Sequence, residues 1–396
     1  MRADALREPF DRGVDPVTAW TSYVPAGADA FWLDSSDGSG RSYLGLGAGV
    51  VTDLAATRSA DGALAHVGWL TYEGDAAFLR VERLLEFDHA SGAVTHVSLD
   101  GDAAWISGPV IRPRLSPPLP AAARWRDDGE SYRASIAACQ AAITEGDAYQ
   151  LCLTTSATVE GELDELASYL ALRTSSPTHH GGLLRIGGVS LLSASPEVFL
   201  RVRGGIVESR PIKGTRARLG DDAAEIASLR ADEKERAENT MIVDLVRNDL
   251  SRVCEIGSVE VPGLLEVESY AQVHQLVSTV RGRLRAGCDA VDAVESAFPA
   301  GSMTGTPKGS AMRILAELEG EPRGLYSGVF GWLGADGDAE LAMVIRSIVV
   351  TRRCATVGAG GGITALSDPT AEWAEVLLKA RAPLAALGVL SSPRSA

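Results

Sequence analysis

The segment GVSLLSASPEVFLRVRGGIVESRPIKGT, residues 188–215, consists of short apolar runs punctuated by Pro196 and by the pair Gly204–Gly205. Two adjacent glycines between apolar runs are the composition of a tight hairpin turn, whose central residues need positive φ. A hairpin joins antiparallel strands, so the segment predicts a cluster of antiparallel strands and not a βαβ crossover. Upstream, SYRASIAACQAAITE (131–145) places Ile136, Cys139, Gln140 and Ile143 on one helical face. AYQLCLTTSATVEG follows as a strand and residues 163–173 as a helix. Downstream, helical patterns cover about 221–248, 289–297 and 308–318. Strands return at YSGVFGWLG, LAMVIRSIVVT and CATVGAGGGI, and a final helix starts near Asp368, where Asp-Pro supplies an N-cap and a first-turn proline.

Residues 20–110 read as strands and turns, in runs such as AFWLDSS, RSYLGLGAGVV, AHVGWLTYEG and AVTHVSLD. The proline-rich stretch 112–125 reads as an extended connector. The expected organisation is an N-terminal β-rich region, 1–118, packed with a larger domain, 119–396. Strands in clusters, then helices, then strands, indicate an α+β protein with mainly antiparallel sheets.

The 396 residues are 45% hydrophobic and 22% charged, ordinary globular composition, and the net charge of −15 argues against a nucleic-acid surface. Cys139, Cys152, Cys254, Cys288 and Cys354 form no C-x-x-C pair, which fits reduced thiols. The start MRADALREPF lacks an apolar signal core and no run is long enough to span a bilayer, so a soluble cytoplasmic protein is expected.

Several residues have chemical potential. Glu238 shares a helix face with Ile242 and Leu245, which leaves a carboxylate at the edge of an apolar surface, where it needs a cation. Glu372 and Glu375 lie one turn apart in the last helix and can face one site. Such carboxylates suit Mg²⁺; otherwise they are solvated or pair with Arg236 or Lys379. Lys213 is held between a proline turn and a glycine in RPIKGT, and a desolvated amine there becomes a nucleophile; otherwise it is a loop lysine. Glu197, sixteen residues earlier, is a general-acid candidate if burial keeps it protonated, or a strand-end ion pair. The run Gly358–Gly362 is expected to follow a strand and offers backbone N–H groups to an anion. AGSMTGTPKGSAM fails the P-loop spacing, but Thr304 can still meet a substrate at the helix entry. Arg346, if it points inward from its strand, would clamp a carboxylate.

Eight segments occur in order: RPIKGTRAR, DEKERAENTMIVDLVRNDLSRV, VHQLVSTVRG, AFPAGSMTGTPKGSAM, YSGVFGWLG, AMVIRSI, GAGGGI and DPTAEWAEVLLKA. Together, over about 130–385, they resemble the chorismate-utilising synthases: anthranilate, aminodeoxychorismate, isochorismate and salicylate synthases. AFWLDSS and GWLTYEGD resemble the N-terminal part of the amine-forming members, where the resemblance implies a tryptophan-site region. The implied fold is that of anthranilate synthase component I, a β-sandwich core of mainly antiparallel sheets flanked by helices. By matching position, Glu238 and Glu375 would bind Mg²⁺, with Glu372 and Glu235 reaching it through water. Gln150, Thr215, His274, Thr304, Tyr326, Arg346, Gly361, Gly362 and Lys379 would bind the substrate, chorismate. Glu197 would be the general acid for the leaving hydroxyl.

Two positions separate the subfamilies. Isochorismate and salicylate synthases place a lysine base where this chain has Gln150, and anthranilate synthases carry alanine where it has Lys213. The PIKGT form resembles the aminodeoxychorismate-forming members, which implies amination of chorismate by ammonia to 4-amino-4-deoxychorismate through a covalent adduct on Lys213, for 4-aminobenzoate and folate or for a specialised metabolite. The alternatives are an anthranilate synthase component I, a 2-amino-2-deoxyisochorismate synthase, or a non-catalytic subunit that binds chorismate or an amidotransferase. The family's histidine before LVS is Gln275 here, with His274 one place earlier, and its asparagine after YQV is Cys152, read as a core strand residue. No G-x-C-x-G glutaminase nucleophile is present, so a separate glutamine amidotransferase subunit is the implied ammonia source.

Overall fold

The computed structural model describes residues 5–58, 63–114, 118–218, 220–270 and 273–389. Residues 115–117 of the expected connector lie outside them. Two antiparallel sheets dominate. Among the described residues the first has twelve strands: eleven run from Leu6–Pro9 through Val94–Ser98, Arg83–Asp88, Arg41–Leu46, Ala30–Asp34, His180–Ile186, Val189–Ser195, Ser347–Val350, Cys354–Ile363 and Gln150–Glu160 to Gly305–Thr306, and Arg124–Trp125 pairs beside Gln150–Glu160. The second has ten: nine from Ile212–Ala217 through Val273–Arg283, Ile206–Ser209, Val198–Arg203, Ala339–Met343, Val329–Gly334, Ala65–Leu70 and Ala76–Val81 to Val50–Val51, with Glu260–Ser269 pairing beside Val273–Arg283. The Gly204–Gly205 hairpin is present, both glycines at positive φ, and joins Val198–Arg203 to Ile206–Ser209.

The sheets pack face to face. Phe31, Leu184 and Leu191 of the first interlock with Val67, Trp69, Phe330 and Ala342 of the second, all buried. The outer face of the first sheet carries the Gly129–Glu145, Glu165–Ser175, Lys308–Glu319 and Pro369–Ala386 helices; that of the second carries Glu233–Ser251 and Ala290–Ala297. This is the expected α+β sandwich. Strands from both sides of residue 118 share each sheet, Ala30–Asp34 pairing with His180–Ile186 and Ala65–Leu70 with Val329–Gly334.

Four readings of local structure need correction. The helical stretch 221–248 is two helices, Asp222–Ala231 and Glu233–Ser251. It breaks at Asp232, whose side chain leaves the helical path to cap Glu235 N. Arg346 is not inside a strand: it lies between Ala339–Met343 and Ser347–Val350 with φ +53°. The expected CATVGAGGGI strand is present as Cys354–Ile363, and the run Gly358–Gly362 lies inside it and does not follow it. The first hundred residues also hold a helix, Pro16–Tyr23, started by the Asp15 cap. Among the described residues no helix is long and apolar enough to cross a membrane.

Candidate active site

The Gln150–Glu160 strand pairs along its length with Cys354–Ile363, so Cys152 faces Gly362 and Thr154 faces Gly360. The glycines there make room. A Cβ at Gly358 would sit 2.1 Å from the Tyr326 ring, and one at Gly362 would sit 2.4 Å from Gln150 Nε2 and 3.1 Å from Glu238 Oε2. A Cβ at Gly361 would stand 3.2 Å from Glu372 Oε2. A side chain at Gly358, Gly361 or Gly362 would press on Tyr326, on Glu372, or on Gln150 and Glu238 respectively.

Two helices bring acids to this floor. On Glu233–Ser251, Glu238 is buried beside Ile242, while Leu245 is only half-buried. On Pro369–Ala386, capped by Asp368, Glu372 is buried and Glu375 sits one turn on. Lysines interleave with them. Lys213 Nζ is 4.0 Å from Glu238 Oε2, Lys234 Nζ is 2.7 Å from Glu372 Oε1 and 3.8 Å from Glu238 Oε1, and Lys379 Nζ is 2.7 Å from Glu375 Oε1. Lys379 also donates to Gly360 O at 2.8 Å. Burial raises the Glu238 carboxyl, with Glu372 and Glu375 adding to the rise and Lys213 and Lys234 opposing it. Burial and then Glu238 also raise Glu235. Burial pushes Glu375 up, but Lys379, Lys234 and Lys213 prevail and hold it below the usual range. For Lys213, burial favours the neutral amine, yet Glu238 and its neighbours outweigh it and hold the amine above an ordinary lysine.

The donors present are carboxylates and the amide oxygen of Gln150, hard oxygens of the kind Mg²⁺ takes. Gln150 Oε1 is buried without a hydrogen-bond partner, and its Nε2 donates to Glu238 Oε2 at 3.5 Å. Among the described residues no three acidic side chains converge closely enough to hold a metal, because lysines stand between them.

Glu197 and Arg346 stand where the chain leaves one sheet for the other. Glu197 is buried; desolvation raises its carboxyl, while Lys213 and a hydrogen bond with Ser302 pull it back. Burial lowers the Arg346 guanidinium, and Tyr326 and Glu375 oppose that fall. Thr304 is buried and accepts Cys152 N at its carbonyl, 2.9 Å, which ties it to the Gln150 strand. Two expected residues lie apart from this group. Thr215 is exposed, just past the backbone irregularity at Gly214, where φ is +77°. His274 is buried, and its Nδ1 and Nε2 face Ser269 Oγ at 2.8 Å and Asp222 Oδ1 at 3.3 Å.

Some contributors had no legible signal in the sequence. Asn239 donates to Pro211 O at 3.3 Å and accepts Ser278 Oγ at 2.5 Å, which anchors the segment that presents Lys213. The Glu319–Arg323 pair, both side chains almost fully buried, donates to Cys152 O and Met303 O and accepts Thr154 N. Glu319 ends the Lys308–Glu319 helix and Arg323 lies beyond its Gly320 cap, so no local pattern links the two and only their shared burial reveals this role.

At the N-terminal end, AFWLDSS borders a cavity of about 530 Å³ also lined by Tyr43, His180, Arg201 and Glu340. The Asp34 carboxylate there accepts Tyr169 Oη at 2.9 Å, Arg173 Nε at 2.6 Å and Ser42 Oγ at 3.0 Å.

Residues 55–385 match the model of a family described as chorismate binding enzyme. The chain belongs to this chorismate-binding enzyme family. It is 45% identical over 364 residues to an aminodeoxychorismate synthase of Streptomyces pristinaespiralis, which covers 82% of this chain and 51% of that one. It is 40% identical over 342 residues to an anthranilate synthase component 1 of Streptomyces coelicolor, covering 79% and 67%. The chain thus spans about half the length of the aminodeoxychorismate synthase it matches. Its fold is similar to the crystal structure of anthranilate synthase component I from Streptococcus pneumoniae, with a TM-score of 0.77, 25% identity, and coverage of 95% of this chain and 98% of that one. The chorismate-binding fold thus matches the architecture described above.

Proposed function

We propose that the chain aminates chorismate with ammonia to 4-amino-4-deoxychorismate. The observation that carries this reading is Lys213, a partly buried amine beside Glu238 and within the electrostatic field of Glu197. In this reading the Lys213 amine adds to the ring carbon two atoms from the hydroxyl-bearing carbon. The ring double bonds shift, and the hydroxyl leaves as water with the proton of Glu197, whose burial keeps it available as an acid. Ammonia then bonds to the carbon that lost the hydroxyl, the electrons shift back, and the lysine is expelled. Splitting one substitution in two lowers each barrier.

Arg346, Tyr326, Thr304 and the backbone of Gly361 and Gly362 hold the substrate, and Gln150, which offers no ammonium and no strong base, leaves water unactivated. Glu238 and Glu375 would hold Mg²⁺, with Glu372 and Glu235 behind them. When bound, it would supply Lewis acidity toward the ring carboxylate and take up the Glu238 charge that keeps Lys213 protonated. A separate glutamine amidotransferase supplies ammonia, and the product serves 4-aminobenzoate synthesis, for folate or a specialised metabolite.

The test is purified chain with chorismate, MgCl₂ and ammonium, with products resolved by chromatography and mass spectrometry. The expected product gives 4-aminobenzoate on addition of a lyase. Anthranilate would move the reading to 2-amination, and absence of turnover with an amidotransferase added would favour a binding subunit.

A further inference from the structure

Lys234 has no part in the chemistry above, yet it is the cation closest to Glu372. Its Nζ bridges two helices, 2.7 Å from Glu372 Oε1 and 3.8 Å from Glu238 Oε1. Those carboxylates are buried, at 3% and 7% side-chain exposure, while Lys234 is 36% exposed. The three lysines differ in how firmly they are held. Lys213 has 15% side-chain exposure, and Lys379 is tied to both Glu375 and Gly360 O. Among the described residues Lys234 makes ion pairs with Glu238 and Glu372 alone, from the solvent side, at the first turn of its helix. It has both a reason to be there and a route out.

Charge balance gives the reason to leave. Glu235, Glu238, Glu372 and Glu375 carry four negative charges against three lysine cations. A divalent cation added to all three lysines would leave a positive excess in a half-buried space. Exchange of one lysine for the divalent ion lowers that excess by one charge. Gln150 supplies an independent pointer to a cation: its buried Oε1 is an acceptor without a partner, on a side chain that already reaches Glu238. An oxygen donor so placed costs free energy until something electropositive meets it.

We propose that Lys234 is a tethered counter-cation, which holds Glu238 and Glu372 in place with its ammonium and is displaced into solvent when a divalent cation binds between them. The inference rests on the metal reading above. It makes Lys234 a competitor of the metal and a support of the empty carboxylate pair at once.

The test needs no turnover. The wild-type chain is treated with an amine-acylating reagent with and without saturating MgCl₂, and modification of each lysine is followed by mass spectrometry. Lys234 labelling is expected to rise several-fold with MgCl₂ while Lys213 labelling does not. In parallel, Mg²⁺ affinity is measured by calorimetry without substrate for wild type and for Lys234→Met, and is expected to tighten about tenfold in the variant. Binding of Mg²⁺ by wild type with Lys234 still protected, or an unchanged or weaker affinity in Lys234→Met, overturns the displacement. Wild type that takes up no Mg²⁺, or Glu238→Gln that binds it undiminished, overturns the metal reading and the displacement with it.

Discussion

Glu197 and Arg346 occupy adjacent crossings between the two sheets: Met343 N, on the Arg346 side, donates to Glu197 O at 3.0 Å, and Ala194 N, on the Glu197 side, donates to Arg346 O at 3.2 Å. A chain that leaves a sheet frees its side chain from strict in-and-out alternation. At these crossings Glu197 lies within the field of Lys213 and Lys379, and Arg346 within that of Tyr326 and Glu375.

Arg346 holds φ at +53°, a conformation that costs a residue with a Cβ about 1 kcal/mol and costs glycine nearly nothing. Arg346→Gly is therefore expected to be more stable to urea than Arg346→Ala by about 1 kcal/mol. Both should lose chorismate affinity, read by equilibrium binding. Equal stability of the two variants would show that the backbone relaxes once the guanidinium is gone.

Lys213→Ala removes the proposed nucleophile. Amination at the 4-position should fall by at least about 10²-fold, the scale on which a positioned catalytic group registers, while Mg²⁺ and chorismate binding persist. Undiminished 4-amination by this variant would end the covalent reading.

Gly362→Ala places a Cβ 2.4 Å from Gln150 Nε2, the far end of a flexible side chain. The fold can yield there, so the change in stability should stay within about 1 kcal/mol. Gln150 must swing away from Glu238, and activity should drop far more than stability does. A variant with wild-type kinetics would show that Gln150 has no fixed place in the reaction.

The Glu319–Arg323 pair is buried and feeds the backbone beside Gln150 and Thr304. Glu319→Leu strands a buried guanidinium and should cost about 3–5 kcal/mol in urea unfolding. Replacing both residues by apolar ones of similar size should recover much of that stability but leave KM for chorismate raised. Full recovery of KM as well would reduce the pair to a structural one.

His180 is partly buried, and desolvation pulls its imidazole from 6.5 to about 4. Glu340 lies 3.4 Å away, but Arg201 and Arg203 already hold it, so it draws little proton to the ring. A depressed histidine contributes stability that is present above about pH 6.5, the unfolded value, and is lost as pH falls toward about 4. The unfolded state takes the proton first, and the loss amounts to at most about 3 kcal/mol. His180→Gln should flatten the pH dependence of unfolding in that window, as urea titrations at several pH values would reveal.

The local physics of the chain was legible without coordinates. The Gly204–Gly205 turn, the Asp368 cap and the face shared by Glu238 and Ile242 follow from φ preference, capping chemistry and helical period, all of which act over a few residues. The ordered motifs from RPIKGT to DPTAEW likewise named the acids and Lys213 before any contact was seen. Tertiary structure alone decided what those groups face. Periodicity made 221–248 one helix, but Asp232 breaks it, because a cap competes with helix propensity over a single residue. The glycines of GAGGGI offered backbone to an anion, but only pairing with Gln150–Glu160 shows what stands over them: Tyr326, Gln150 and Glu372. Nothing local singled out Lys234 or Arg323, since exposure is a property of the packed chain. Whether a charge is solvated, paired or poised to move depends on residues more than a hundred positions away, such as Glu372 for Lys234.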